Sequence, residues 1–291
     1  MATTTATAFD EFKQRLLLTN NQWSTVRARR DATASYARQA FPSTSSMPVL
    51  NTKMIGSAGR ETIIRPIDDV DLLVQFENKA NIFETYRKDS QTFLYRVRDG
   101  LKAYSSVQVV GARGQAVRFF YKDAPHVDVA PVFKWSGGGY ALPDGKGGWL
   151  TTDPDFHADY MTKRNGELDS RLKPMVRMLK QWNRAHSSYF KSFHLEVIAA
   201  QVFTSIGGDS RAAAEKFFNS AQTSINVVDP AGHSGDLSSY MTAVRRSNSV
   251  AALETARDRA GRANAAERLG DHKEAIRLWG IVFGGEFPAY G

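Results

Sequence analysis

The stretch Gly56-Ser57-Ala58-Gly59-Arg60, with Asp69-Val70-Asp71-Leu72-Leu73-Val74 beginning twelve residues after the serine, decides how this chain is read. The second half is an apolar run with strand character, and successive strand side chains point to opposite faces. Asp69 and Asp71 therefore share one face, and Val70 and Leu72 the other. Two carboxylates on one face, with no basic residue between them, repel each other unless a cation sits there. Mg²⁺ suits that position, because it takes one or two protein carboxylates and completes its shell with phosphate oxygens and water. The Gly56-Ser57 turn suits the phosphate side. Backbone N–H groups of a glycine-containing turn point into a concavity that accepts an anion, and the serine hydroxyl adds a donor. Asp68 is one residue out of phase and is expected on the opposite face.

Further along, His126-Val127-Asp128-Val129-Ala130-Pro131-Val132-Phe133 reads as a second strand with one aspartate among apolar residues. A lone carboxylate there is costly to bury without a partner, which makes Asp128 the third candidate ligand. Around these strands the chain alternates. Phe9, Phe12, Leu16, Trp23 and Val26 recur at helical spacing, predicting one or two amphipathic helices through about Phe41. A short helix is expected to start at Gly56-Ser57 and to end at Arg65-Pro66. Asn81 to Tyr104 reads as helix, and Ser106 to Ala112 with Gln115 to Tyr121 as two strands joined at Arg113-Gly114. The glycine-dense segments Ser136–Gly139 and Asp144–Gly148 read as a flexible hairpin loop. From Asp155 onward the pattern is helical, with periodic segments near 155–163, 167–186, 192–205, 210–225, 236–261 and 263–282.

The order Gly-Ser, Asp-x-Asp, distant single Asp resembles the nucleotidyltransferases of the DNA polymerase β superfamily. Within it the chain is most similar to the CD-NTases, bacterial cyclic-oligonucleotide synthases related to cyclic GMP–AMP synthase. The supporting stretches are Arg65-Pro66-Ile67-Asp68-Asp69-Val70-Asp71, Leu172-Lys173-Pro174-Met175-Val176-Arg177-Met178-Leu179-Lys180-Gln181-Trp182-Asn183, Ser192-Phe193-His194-Leu195-Glu196 and Asp229-Pro230. The resemblance runs from roughly Phe9 to the C-terminus. It implies an α+β fold: a polymerase β-like core, a mixed sheet with helices, over residues 1–154, a C-terminal helical domain over 155–291, and an active site in the cleft between them. It further implies two Mg²⁺ ions, with Mn²⁺ as a substitute, held by Asp69, Asp71 and Asp128. Asp128 would also help deprotonate the attacking hydroxyl.

By the same resemblance, Gly56, Ser57, Lys180 and Ser192 would contact the donor triphosphate. Asn165, in Lys163-Arg164-Asn165-Gly166, falls near a position that reads a base edge in relatives, although Asn-Gly is also an ordinary turn pair. The family more often has glycine where this chain has Glu61. His194 reads as a packed or hydrogen-bonded structural residue. The implied reaction joins nucleoside triphosphates into a cyclic di- or trinucleotide messenger with release of pyrophosphate, in CBASS anti-phage defence. Two other readings are a non-catalytic nucleotide sensor, and linear nucleotidyl transfer to RNA or a small molecule. Retention of all three aspartates favours the enzyme. In some relatives a ubiquitin-activating-like ligase joins a small terminal residue to targets, and Gly291 would suit that chemistry. An aromatic tail packed on the core is the plainer expectation.

Composition bounds these readings. The 291 residues allow one large or two modest domains. With no cysteine, disulfides, thiolate metal sites and cysteine nucleophiles are excluded. The net charge of +8 and a pI near 9.6 favour anionic partners, but no basic run exceeds two residues, so nucleic acid is not required. The N-terminus lacks the pattern of a secretory signal, and the longest apolar run, Val197 to Phe203, is too short to span a bilayer. No membrane association and a cytoplasmic location are expected.

Overall fold

The structure, a computed structural model, describes residues 2–104 and 109–291. The elements run α1 (Thr5–Leu16), α2 (Asn20–Ala40), β1 (Val49–Met54), α3 (Gly56–Gly59), β2 (Asp69–Phe76), α4 (Phe83–Tyr86), α5 (Ser90–Leu101), β3 (Val109–Arg113), β4 (Ala116–Phe120), β5 (His126–Lys134), β6 (Tyr140–Pro143) and β7 (Trp149–Thr152). Helices then follow as α6 (Pro154–Glu167), α7 (Leu172–Ala185), α8 (Ser192–Val202), α9 (Ser210–Ser220), α10 (Ala243–Arg268) and α11 (His272–Phe283). By packing, the chain divides into a sheet unit, Thr19–Arg60 with Pro66–Ala158, and a helical unit, Met1–Leu18 with Glu61–Arg65 and Asp159–Gly291. Helix α1 thus packs with the C-terminal helices, although it precedes the sheet in sequence. No helix among the described residues is long and apolar enough to cross a membrane.

In the sheet unit the strand order is β1-β2-β5-β4-β3, with β6 on β5 and β7 on β6. β2 and β5 run parallel, and every other pair is antiparallel. The mixed sheet follows from the connections. Strands β3 and β4 form a hairpin across Gly114, whereas β2 and β5 are separated by helices that return the chain in the same direction. Asp89 accepts from Gln91 N (3.0 Å) and so starts α5. Its Phe93 packs with Phe76, Phe133 and Trp149, and ring centroids within this group lie 4.8–6.4 Å apart.

The helical unit is built on a second aromatic cluster. Phe9 and Phe12, three residues apart on one face of α1, meet Trp279, Phe283 and Phe287 at 4.8–5.9 Å. The tail is tied down by the same contacts. Phe287 is buried, Tyr290 bridges to Ala2, and Gly291 N donates to Ala2 O at 3.2 Å.

Several expectations shift. The helix beginning at Gly56 is a single turn, because Glu61 sits at φ +60°, where a right-handed helix cannot continue. The glycine-dense segments are turns, one before each of two short strands, β6 and β7, each too short to show a period. Helix α10 runs through Gly261 without a break, and a Cβ there would lie 3.1 Å from Glu215 Oε1, so the glycine serves close packing on α9. The start of the first predicted hairpin strand, Ser106 to Gln108, lies outside the described residues.

Candidate active site

The sheet register assembles the acidic cluster. β2 and β5 pair with Asp71 opposite Asp128, and β4 and β5 pair with Arg118 opposite Asp128. Ladder partners share a face, so Asp71, Asp128 and Arg118 form one row across three strands. Asp69 lies on the same face two residues before Asp71. β1, antiparallel to β2 with Met54 opposite Leu72, delivers the turn at Gly56 to this row. Ile55 N donates to Asp71 O at 3.0 Å, fixing the approach.

Gly56 is required by that approach. It sits at φ +63°, and a Cβ built on it would lie 2.7 Å from Asp71 Cγ and overlap the carboxylate oxygen. Ser57 follows, half-buried, in the single turn α3.

Arg118 is the residue that sequence reasoning missed. Its guanidinium is buried and grips Asp128 with two bonds, Nε to Oδ1 and Nη2 to Oδ2, each 2.6 Å. Nη2 also donates to Asp69 Oδ2, and Nη1 reaches Asp68 Oδ2 at 3.3 Å. The signal was present: one arginine inside the apolar run Ala116-Val117-Arg118-Phe119-Phe120 has to be paired if buried. Asp68 also departs from expectation. It precedes the first residue of β2, so strand alternation does not govern it, and its exposed side chain turns toward Arg118.

Four carboxylates thus face two guanidinium groups, since Arg60 also acts on Asp71. The imbalance falls on Asp71. Burial, then the charges of Asp69 and Asp128, push its pKa up to about 6, with Arg60 and Arg118 offsetting part of the rise. Asp69 is raised as well, mainly by burial. The bonds from Asp128 hold Arg118 above its already high value. As the side chains lie, no three carboxylates or imidazoles among the described residues converge on one point suited to a metal ion. Both Asp128 oxygens are turned to Arg118. The chemistry of the donor set nevertheless fits a divalent cation: hard oxygen ligands, an excess of negative charge, and one carboxylate without a strong ion-pair partner of its own.

Lys180, Ser192 and Asn165 belong to the helical unit. Lys180 Nζ is buried and donates to Glu196 Oε1 (2.6 Å), Thr62 Oγ1 (3.0 Å) and Thr62 O (3.1 Å), and Thr62 Oγ1 donates on to Glu196 Oε1 at 3.0 Å. All three ammonium donors are engaged, so a phosphate oxygen would have to displace one acceptor. Ser192 is exposed as the first residue of α8. Asn165 lies in the last turn of α6 rather than in a loop, and its Oδ1 accepts from Lys173 N at 2.9 Å, capping α7. The turn comes later, at Asp169 and Ser170, both with positive φ.

Glu61, which stands where the family favours glycine, adopts φ +60°, a conformation glycine takes without strain. Its carboxylate accepts from Lys173 Nζ at 2.8 Å, which holds its pKa below the ordinary value, and its carbonyl accepts from Arg177 at 2.8 Å. His194 is buried, with Nε2 2.7 Å from Ile225 O and Nδ1 3.0 Å from the Tyr240 hydroxyl. It is a structural hub of the helical unit, as expected.

The Second Messenger Oligonucleotide or Dinucleotide Synthetase domain family matches residues 1–165, more than half of the chain. A probable cyclic nucleotide synthase of Bacillus cereus (strain VD146) is 29% identical, with 81% of each chain covered. A cyclic AMP-AMP-AMP synthase of an Acinetobacter species is 26% identical, covering 82% of this chain and 73% of that protein. Among solved structures, Escherichia coli MS115-1 CdnC, in a complex with a HORMA protein, superposes with a TM-score of 0.81 at 18% identity, covering 97% of this chain and 98% of its own. Vibrio cholerae DncV, a cyclic AMP-GMP synthase, superposes with a TM-score of 0.77 at 14% identity, covering 96% and 97%. These structures are alike in fold.

Proposed function

The chain belongs to the CD-NTase family of second-messenger oligonucleotide or dinucleotide synthetases, and from that premise we propose that it joins nucleoside triphosphates into a cyclic di- or trinucleotide with release of pyrophosphate. The observation that carries this reading is the row Asp71–Asp128 with Asp69 on the same face, set against the Gly56-Ser57 turn. In the proposed site Asp69, Asp71 and Asp128 would hold two Mg²⁺ ions, which would supply neutralisation of the charge that develops during transfer. Asp128 accepts the proton of the attacking hydroxyl. Gly56 leaves room for the triphosphate and Asp71 together, and Ser57 donates its hydroxyl to a phosphate oxygen.

Lys180 and Ser192 are assigned to the same triphosphate by the resemblance, Lys180 at the cost of one of its present acceptors. Asn165 keeps its amide NH₂ available for a base edge while its carbonyl oxygen caps α7. The product serves as a messenger in anti-phage defence.

The test is incubation with all four nucleoside triphosphates and Mg²⁺, then Mn²⁺, with phosphatase-resistant products identified by mass spectrometry. A cyclic product that disappears in the Asp69→Asn, Asp71→Asn double variant supports the proposal and names the bases. A linear product, or one that survives in the double variant, refutes it.

A further inference from the structure

Among the described residues, Arg118 is a buried cation whose guanidinium holds two of the three proposed metal ligands at once. Both oxygens of Asp128 and one of Asp69 are committed to it. A carboxylate with both oxygens in a bidentate arginine fork offers a metal ion only lone pairs that already face a positive charge. We propose that Arg118 is a resident counter-cation that competes with the metal: it clamps Asp128 and Asp69 while no metal is bound, and metal loading requires it to give up the Asp69 oxygen and at least one oxygen of Asp128. This rests on the assignment of the metal site to Asp69, Asp71 and Asp128.

Three observations support it independently of any titration. The register sets Arg118 directly across from Asp128, so the clamp belongs to the sheet and is not a chance surface contact. Arg118 is buried while Asp68, its third partner, is largely exposed, with 74% of its side chain accessible. Asp68 therefore offers a place for the guanidinium to lean when it leaves the other two, along the Nη1 contact of 3.3 Å that already exists. Finally, Asp128 accepts from the fork with both oxygens, at 2.6 Å each, so a metal ion cannot take either one without loosening a bond to Arg118. In functional terms Arg118 is a positioning residue. It offsets the mutual repulsion of Asp69, Asp71 and Asp128 and sets a threshold of metal concentration below which the site stays locked.

The experiment is calorimetric titration of Mn²⁺ into nucleotide-free protein, with melting temperatures in EDTA and in saturating Mn²⁺, for the native chain, Arg118→Gln, Arg118→Lys and Asp71→Asn. A neighbouring charge within a few ångström alters the standing of a charged group by roughly one to three decades. Arg118→Gln is therefore expected to bind Mn²⁺ at least about tenfold more tightly than the native chain. It should melt lower in EDTA and gain more from Mn²⁺. Arg118→Lys, which keeps the charge but loses the fork, should bind more tightly than the native chain and less tightly than Arg118→Gln. A purely structural arginine would weaken binding when removed, so equal or weaker binding in both variants overturns the proposal. If Arg118→Gln does not fold, Arg118→Lys alone decides, by the same criterion. Native binding that survives Asp71→Asn undamaged would instead refute the metal-site assignment, and the competition with it.

Discussion

Replacing Gly56 by alanine tests the geometry of the site more directly than removing any ligand. The added Cβ would lie 2.7 Å from Asp71 Cγ and 3.1 Å from Asp71 Cβ, against the 3.5–4.0 Å of ordinary carbon contacts. The Asp71 carboxylate must therefore withdraw by about 1 Å or the turn must open by as much. The backbone adds a second cost, since φ +63° disfavours an L-residue by roughly 1–2 kcal/mol. Overpacking adds about 1–3 kcal/mol, so the variant should lose about 2–5 kcal/mol in urea denaturation. Misplacing a reacting group by about 1 Å costs on the order of 100-fold in rate, and the loss should appear in kcat rather than KM alone. Gly114→Ala is the control. Gly114 has φ +58°, but a Cβ there meets nothing within 4 Å, so this variant carries the backbone cost and keeps its activity. Pyrophosphate release by the two variants, beside their urea midpoints, separates the effects. Gly56→Ala within threefold of native activity would show that Asp71 is not held where the reaction needs it.

Three further outcomes follow from the helical unit. Lys180→Met takes the ammonium away from buried Glu196 and should cost about 3–5 kcal/mol, whereas adding Glu196→Leu should restore most of that loss. Activity that returns with stability in the double variant would remove Lys180 from the triphosphate, and a stable but inactive double variant would keep it there. Glu61→Gly relieves a left-handed conformation worth roughly 1–2 kcal/mol and gives up an ion pair, worth about 1, in which Glu61 is largely exposed and Lys173 buried, so chemical denaturation should find it unchanged or slightly more stable. Loss of more than this would mean that the Lys173 contact matters far beyond its exposure. Burial holds the pKa of His194 below its ordinary value, so the unfolded chain takes up the proton first as pH falls. Stability contributed by neutral His194 is therefore present above about pH 6.5 and is lost as pH drops through the lower folded value. Urea midpoints between pH 7.5 and 5 should fall less steeply in His194→Gln, and an unchanged slope would show that other groups carry the acid sensitivity.

What could be read in the sequence depended on whether a residue's meaning was local. Strand alternation is local, and it put Asp69 and Asp71 on one face, where the sheet has them. Asp68 defeated the same rule because it stands one residue before β2 begins, where alternation no longer applies. Arg118 acquires its role only from the cross-strand register with Asp128, ten residues on and on the neighbouring strand. No period within its own strand reports that pairing. Glu61 was visible only as a departure from glycine, and the reason is a backbone angle.

Lys180 shows the limit from the other side. Its helix and its neighbour Trp182 were legible, and so was the segment Ser192-Phe193-His194-Leu195-Glu196, but nothing in either stretch says that Lys180 and Glu196 meet in the interior. A lysine read as a phosphate ligand and a lysine buried in an ion pair look alike until the partner is located. In the acidic cluster of the sheet, Arg118 and Arg60 neutralise only part of four carboxylates, so the repulsion that remains opposes folding of the strands that carry them. Whatever neutralises the remainder stabilises that sheet by mass action, in proportion to the logarithm of its concentration over its dissociation constant. Site occupancy and sheet stability are then linked, and a ligand that fills the site should raise the urea midpoint of the sheet.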